Sequence, residues 1–215
     1  MFDFIEFFQA HWLDLLTTIL GLAYILLEYR ASIWMWAVGF AMQMLGIVLY
    51  YQKGLYADCG MEFYYLAMTI YGWWHWVRTP QPPLEGDEAR ISSSPSGEGG
   101  RGALIRHFPL RLALIWTGIT LLLWFSLYLF LSKMTDSTVP LADSFTTALS
   151  FVGIWALARK YLEQWFIWIV VDVVTSALYF YKDIPFKASL YALYVVIAIA
   201  GYRRWKRLMD EMDEM

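Results

Sequence analysis

The sequence predicts an all-α membrane protein of seven transmembrane helices, built as a duplicated bundle. Three observations lead there. Sixty per cent of the residues are hydrophobic and only 16% are charged, with a mean hydropathy of +0.47; a soluble domain carries roughly 25% charged residues. Seven apolar stretches approach the length needed to cross roughly 30 Å of hydrocarbon, about 20 residues each. The chain also repeats itself: residues 16–78, moved by 129 positions without gaps, fall on residues 145–207 with fourteen of 63 positions identical. Internal repeats must be sought early, because missing one miscalls the fold.

The spans are expected at 12–29, 32–51, 56–77, 108–132, 143–158, 162–181 and 185–204. The fifth is short unless Asp143 lies at its outer edge. The count is three, one, three. Two three-span units keep the same orientation only if one further crossing joins them. The plan is therefore a 3+1+3 parallel internal repeat, SWEET-like, with the pseudo-axis along the membrane normal. The units are 1–78 for the first repeat, 79–107 for a cytoplasmic linker, 108–132 for the connecting helix, 143–207 for the second repeat and 208–215 for an acidic tail. The linker holds Pro80, Pro82, Pro83, a serine run and several glycines, a composition that reads as disordered.

Basic residues orient the bundle. With the N-terminus outside, twelve Lys and Arg fall on inner segments and four (Lys53, Lys133, Lys182, Lys187) on outer ones, so N-out/C-in is expected. The first span is preceded by Asp3 and Glu6 and by no basic residue, the wrong start for a cleavable signal peptide. The lone Cys59 builds no disulfide framework. The identical pairs include Arg30 and Arg159, Trp36 and Trp165, Tyr50 and Tyr179, Tyr65 and Tyr194, Gly72 and Gly201, and Trp76 and Trp205.

Polar side chains at mid-membrane are expensive and point to function. Asp172 is the foremost candidate. Trp165, Trp168, Asp172 and Tyr179 are spaced by three, four and seven, so they share one helix face. The repeat mates are Trp36, Gly39, Gln43 and Tyr50. Gln43 and Asp172 are thus depth-matched, and Gly39 opposite Trp168 predicts one flat aromatic wall and one open side. An acid between indole rings suits a cation, with cation–π contact worth roughly 0.5–2 kcal/mol. The alternative for Asp172 is structural, bonded to a hydroxyl such as Thr17, Thr146 or Ser176. Gln43 also suits helix-to-helix hydrogen bonding. Tyr65 and Glu62, one turn apart on span three, are placed at an outer vestibule or in the packing. Trp34, Trp73, Trp74, Trp76 and Trp205, near span ends, read as interfacial anchors. The three histidines are dispersed and form no metal cluster.

Segments 54–58 (Gly-Leu-Tyr-Ala-Asp) and 70–76 (Ile-Tyr-Gly-Trp-Trp-His-Trp), with Trp165-x-x-Trp168-x-x-x-Asp172, resemble the PnuC family of bacterial vitamin-precursor transporters. The last matches that family's W-x-x-W-x-x-x-[ND] motif, and Gly201 to Trp205 resembles its C-terminal end. The resemblance covers the spans and not the linker. It implies an inner-membrane carrier of nicotinamide riboside working by facilitated diffusion, with a cytosolic kinase trapping the substrate. It also implies that Trp165, Trp168 and Asp172 line the substrate site with Gln43 as partner. A branch of the family carries thiamine, and both molecules bear a quaternary aromatic nitrogen, so the residues leave the two open.

No nucleotide-binding motif is present, and Asp172 stands nearly alone among span residues, so uncoupled transport is expected, without cofactor, catalytic residues or nucleic acid. A membrane enzyme would need a nucleophile, base or metal site, none of which clusters here; a scaffold would leave Gln43 and Asp172 without a role. The partners are then the small-molecule substrate and the lipid bilayer. Small-residue faces at Gly39, Gly46 and Gly72 leave a homo-oligomer open.

Overall fold

The computed structural model describes residues 4–52, 56–79, 105–134 and 139–213. Seven helices follow one another: α1 (Phe4–Tyr29), α2 (Trp34–Gln52), α3 (Tyr56–Val77), α4 (Leu110–Met134), α5 (Pro140–Ala158), α6 (Gln164–Tyr181) and α7 (Pro185–Asp213). There is no strand among the described residues. Four helices, α2, α4, α5 and α6, are long and apolar enough to cross a membrane. The expected spans coincide with the helices to within a few residues except at two ends. α1 begins at Phe4, and α7 runs on to Asp213 with Met209 buried, so the expected tail continues the last helix. α5 starts with Pro140 at its first turn, where the missing N–H costs nothing, and Asp143 sits in that turn.

Six helices close a ring. α1 packs on α2 and α2 on α3; α5 packs on α6 and α6 on α7; α3 then meets α5, and α1 meets α7. Among the described residues α4 packs on α5 alone, and none of its residues is buried.

The turns joining α1 to α2 and α5 to α6 share one hydrogen-bond pattern. Ala31 N–H donates to Glu28 C=O and Ser32 N–H to Leu27 C=O; 129 residues on, Lys160 donates to Leu157 and Tyr161 to Ala156. Both turns use a non-glycine residue in the left-handed region, Ala31 at φ 51° and Lys160 at φ 55°. This is the Schellman end of a helix made without its usual glycine.

A buried tryptophan layer crosses one end of the ring. Trp36, Trp76, Trp165 and Trp205 are at most 1% exposed. Trp36 lies edge-on to Trp76 at 5.8 Å, Trp165 edge-on to Trp205 at 5.7 Å, and Trp76 meets Trp205 at 6.2 Å. The Trp36 ring lies on Gly72 and the Trp165 ring on Gly201, so a methyl group at either glycine would overlap an indole. The layer also ties one half of the chain to the other. Trp76 Nε1 donates to Ala158 C=O (3.2 Å), and Trp205 Nε1 donates to Glu28 C=O (3.0 Å). Trp76 and Trp205, expected as interfacial anchors, are core residues because their N–H groups find these carbonyls. Trp34, Trp73 and Trp74 are exposed, as anchors would be.

Residues 80–104 of the expected linker lie outside the described residues. Its last residues are not loose. Ile105 is buried, Arg106 exchanges backbone hydrogen bonds with Lys160 and Leu162, and Glu163 grips both the Phe108 N–H (2.8 Å) and His107 Nδ1 (2.7 Å).

Candidate functional site

The ring surrounds a half-open cavity of about 1340 Å³, to whose wall α4 adds Leu127, Phe130 and Leu131. One end is closed by the tryptophan layer, with Glu28 and Trp165 at its floor. The other end carries Asp143, Lys182 and Lys187, where Lys182 lies 3.6 Å from Asp143 and both are partly exposed. The cavity therefore follows α6 from its first turn to just past its last. At 1.5 Å per residue that is about 25 Å.

Asp172 lines the middle of this cavity and is 6% exposed. Two of the three hydroxyls expected to satisfy a structural acid are spent elsewhere. Ser176 Oγ donates to Ala188 C=O, and Thr146 Oγ1 to Ala142 and Asp143 C=O. The side chain of Thr17, the third candidate, lies outside the described residues. Aromatic walls flank the acid. Tyr179 stacks on Tyr191 at 5.4 Å and Tyr191 meets Tyr194 edge-on at 5.5 Å. Opposite, Tyr64, Tyr65 and Phe151 pack together, with Tyr64 Oη held by Phe151 C=O at 3.0 Å.

Of the nine residues predicted for the site, seven line the cavity: Trp165, Trp168, Asp172, Tyr179, Tyr50, Tyr65 and Glu62. Two are placed elsewhere. Trp36 is spent on Gly72 and Trp76, beside a smaller apolar pocket it shares with Ala37, Phe40, Thr69, Ile70 and Trp73. Gln43 is half-buried on α2 and is not among the lining residues; its neighbour Met42 is. The depth match between Gln43 and Asp172 does not become a facing pair.

The expected open side at Gly39 is filled. The Tyr24 ring of α1 lies against Gly39, where an added Cβ would meet it at 3.2 Å. In the second half the partners are exchanged: Trp168 of α6 lies against Gly153 of α5, also at 3.2 Å. Gly153 is the repeat mate of Tyr24, as Trp168 is of Gly39. Each pair needs one large and one small residue, and the two halves assign them to opposite helices.

Nor is Asp172 the only acid. Glu28, Glu62 and Asp143 also line the cavity, and Glu28 is 3% exposed. Sequence reasoning passed over Glu28 because its repeat mate is the apolar Leu157 and it lies two residues from the basic end of its span. The usable signal was an acid inside a span boundary with no basic residue one turn before it. Among the described residues, no group of three His, Cys, Asp or Glu side chains is placed to hold a metal ion.

Known proteins give the arrangement its kin. The model of the nicotinamide mononucleotide transporter family matches residues 11–207. The riboflavin/roseoflavin transporter RibM of Streptomyces davaonensis is 30% identical over 92% of this chain and 87% of its own length. The nicotinamide riboside transporter PnuC of Escherichia coli is 22% identical over 92% of this chain and 86% of its own. The crystal structure of the vitamin B3 transporter PnuC superposes with a TM-score of 0.72 at 19% identity, covering 96% of this chain and 85% of that one, so the fold is shared. The chain belongs to the nicotinamide mononucleotide transporter family, and it is a membrane transporter and not an enzyme.

Proposed function

We infer that this chain carries a planar aromatic vitamin precursor across the bacterial inner membrane, with nicotinamide riboside as the first candidate. One observation carries the reading: Asp172 stands in mid-cavity, one turn from Trp168 and among tyrosines. A buried carboxylate beside aromatic faces favours a cationic ring through charge and cation–π attraction. Thiamine, also cationic, answers to the same chemistry. Riboflavin, uncharged, is favoured by the higher identity to RibM.

All seven helices cross the membrane in this reading, with the N-terminus outside. The recurrence of the turn pattern and of the Trp–Gly–Trp packing 129 residues apart supports a parallel 3+1+3 repeat. The distribution of basic residues supports a tryptophan layer at the cytoplasmic end and a mouth at Lys182 outside. Transport follows when the halves rock so that the layer parts and the mouth shuts. Phosphorylation in the cytosol would trap the product.

Calorimetric titration of purified, detergent-solubilised protein with each of the three vitamins tests this. Binding of nicotinamide riboside that Asp172→Asn weakens supports the first reading. Tight binding of riboflavin alone, insensitive to Asp172→Asn, sinks it. Uptake that survives collapse of the proton gradient marks an uncoupled carrier.

A further inference from the structure

Four basic side chains, His75, Arg106, Arg159 and Lys160, gather where α3 ends, α5 turns into α6 and the chain enters α4. Each is held by a neutral partner. The Arg106 guanidinium lies over the Tyr161 ring at 4.7 Å. Arg159 Nη1 donates to Tyr71 Oη at 3.1 Å, and Arg159 is also within reach of the Tyr161 hydroxyl. One tyrosine thus touches two guanidiniums. Lys160 Nζ stands over the Trp76 ring at 4.6 Å. His75 stacks on Tyr71 with the planes 7° apart, in electrostatic reach of the other three. Among the described residues no ion pair includes Arg106, Arg159 or His75. Glu163, the nearby acid, is taken by His107 and the Phe108 N–H. Rings and hydroxyls fix these cations without neutralising them, and like charges held close favour an anion between them. Nor does the frame require the cluster, since Ala31 answers to Lys160 and Ala200 to Tyr71 in the other half.

The surroundings say where an anion comes from. Trp34, Trp73 and Trp74 are exposed at this end, and exposed indoles at span ends mark the headgroup level. The Arg78 guanidinium lies over Trp74 at 4.1 Å and adds a cation to the rim. α3 and α4 both pack on α5 and, among the described residues, not on each other. Leu110 and Leu114, at the start of α4, are exposed, so acyl chains find an apolar wall directly below the cations.

We propose that Arg106 and Arg159 bind a phosphate group, supplied by the headgroup of an anionic lipid in the leaflet at the tryptophan-layer end. Basic pockets between helices on the cytoplasmic side are typical headgroup sites. Arg106 is exposed and Arg159 partly so, and guanidiniums take phosphate oxygens in pairs. Lys160, 2% exposed, adds charge from behind and makes no contact. The headgroup sits where α3 of the first half meets the α5–α6 turn of the second. This rests on the membrane placement inferred above and not on which vitamin is carried.

Native mass spectrometry of the full-length, detergent-solubilised protein, titrated with phosphatidylglycerol or phosphatidylcholine, reads lipid occupancy. The wild type should bind phosphatidylglycerol at least about tenfold more tightly. Arg106→Gln with Arg159→Gln should bring the two lipids to within about threefold. Arg203→Gln with Lys206→Gln removes as much charge from the same end of α7, off the cluster, and should leave the preference in place. Thermal unfolding and elution volume check the fold. If the double variant fails to fold, Arg106→Gln alone decides, and it should cut the preference by at least about threefold. A preference that survives these substitutions, or that falls equally in the α7 variant, overturns the site. Addition of glycerol 3-phosphate separates the sources of phosphate: phosphatidylglycerol should stay bound, and its displacement would mean a soluble occupant and overturn the lipid. Calorimetry with the vitamins runs in parallel. Absence of vitamin binding beside an intact lipid preference sinks the transport reading and supports this site.

Discussion

The first half of the molecule, α1 to α3, and the second, α5 to α7, are alike where they hold themselves together and unlike where they face the cavity. Trp36 on Gly72 against Trp76 has its counterpart in Trp165 on Gly201 against Trp205. The turns at Ala31 and Lys160 match bond for bond. Around the cavity the mates diverge: Tyr24 answers to Gly153, Gly39 to Trp168, Gln43 to Asp172, Glu28 to Leu157 and Glu62 to Tyr191. A frame with two-fold character needs the same packing twice. A ligand without two-fold symmetry needs different groups on its two sides. In the proposed reading, matched residues report the frame, and mismatched ones the site.

The largest effects should come from breaking what is matched. Gly72→Ala and Gly201→Ala each drive a methyl into a rigid indole, and each should destabilise by about 3 kcal/mol, the upper end of ordinary overpacking. Thermal unfolding in detergent reads this; if only one substitution is costly, the two halves are not built alike. Next comes a mismatched pair. Asp172→Asn should weaken substrate binding by about 2 kcal/mol, roughly thirtyfold, as for a hydrogen bond to a charged group. Gln43→Ala should change it by less than about threefold, since Gln43 lies off the cavity. Equal losses at both would restore the facing pair that the cavity does not show.

A smaller effect separates the two turns. Burial pushes the Lys160 ammonium down from the usual 10.5 to about 8, while its mate Ala31 carries no charge. Between those values the unfolded chain holds the extra proton, so folding gains as pH rises through that window. The stability of the wild type relative to Lys160→Met should improve from pH 8 to pH 10; a flat difference would show the lysine to be solvated. The smallest change is Ala31→Gly, which relieves a left-handed alanine and should stabilise by up to about 1 kcal/mol. Loss of stability there would mean that the Ala31 methyl, buried in the core, contributes more than its strain costs.

The helices and their boundaries were legible because a membrane span is long and apolar, and periodicity needs no partner to be read. That seven of the nine expected residues line the cavity has a related reason: the stripe on α6 faces one way, and that way is inward. Trp36 and Gln43, which lie off the cavity, were expected there from symmetry. Repeat logic asked each residue of the α6 stripe to have an equivalent partner on α2, yet the Tyr24 ring of α1 lies against Gly39. Glu28 lines the cavity without having been expected there, for the converse reason that it has no polar mate. Which of two apposed helices supplies the large residue is a packing decision between neighbours, and no single-helix pattern carries it.

The clasp at residues 105–108 has a mechanical meaning. Arg106 is laced to the backbone of the α5–α6 turn, and Glu163 holds His107 and Phe108, whereas no described segment laces the α1–α2 turn in this way. A pull along the segment that leads into Arg106 is delivered to that turn before it reaches α4. The clasp acts as a tether, fixing the entrance of α4 to the turn beneath the second half, one residue from Gln164.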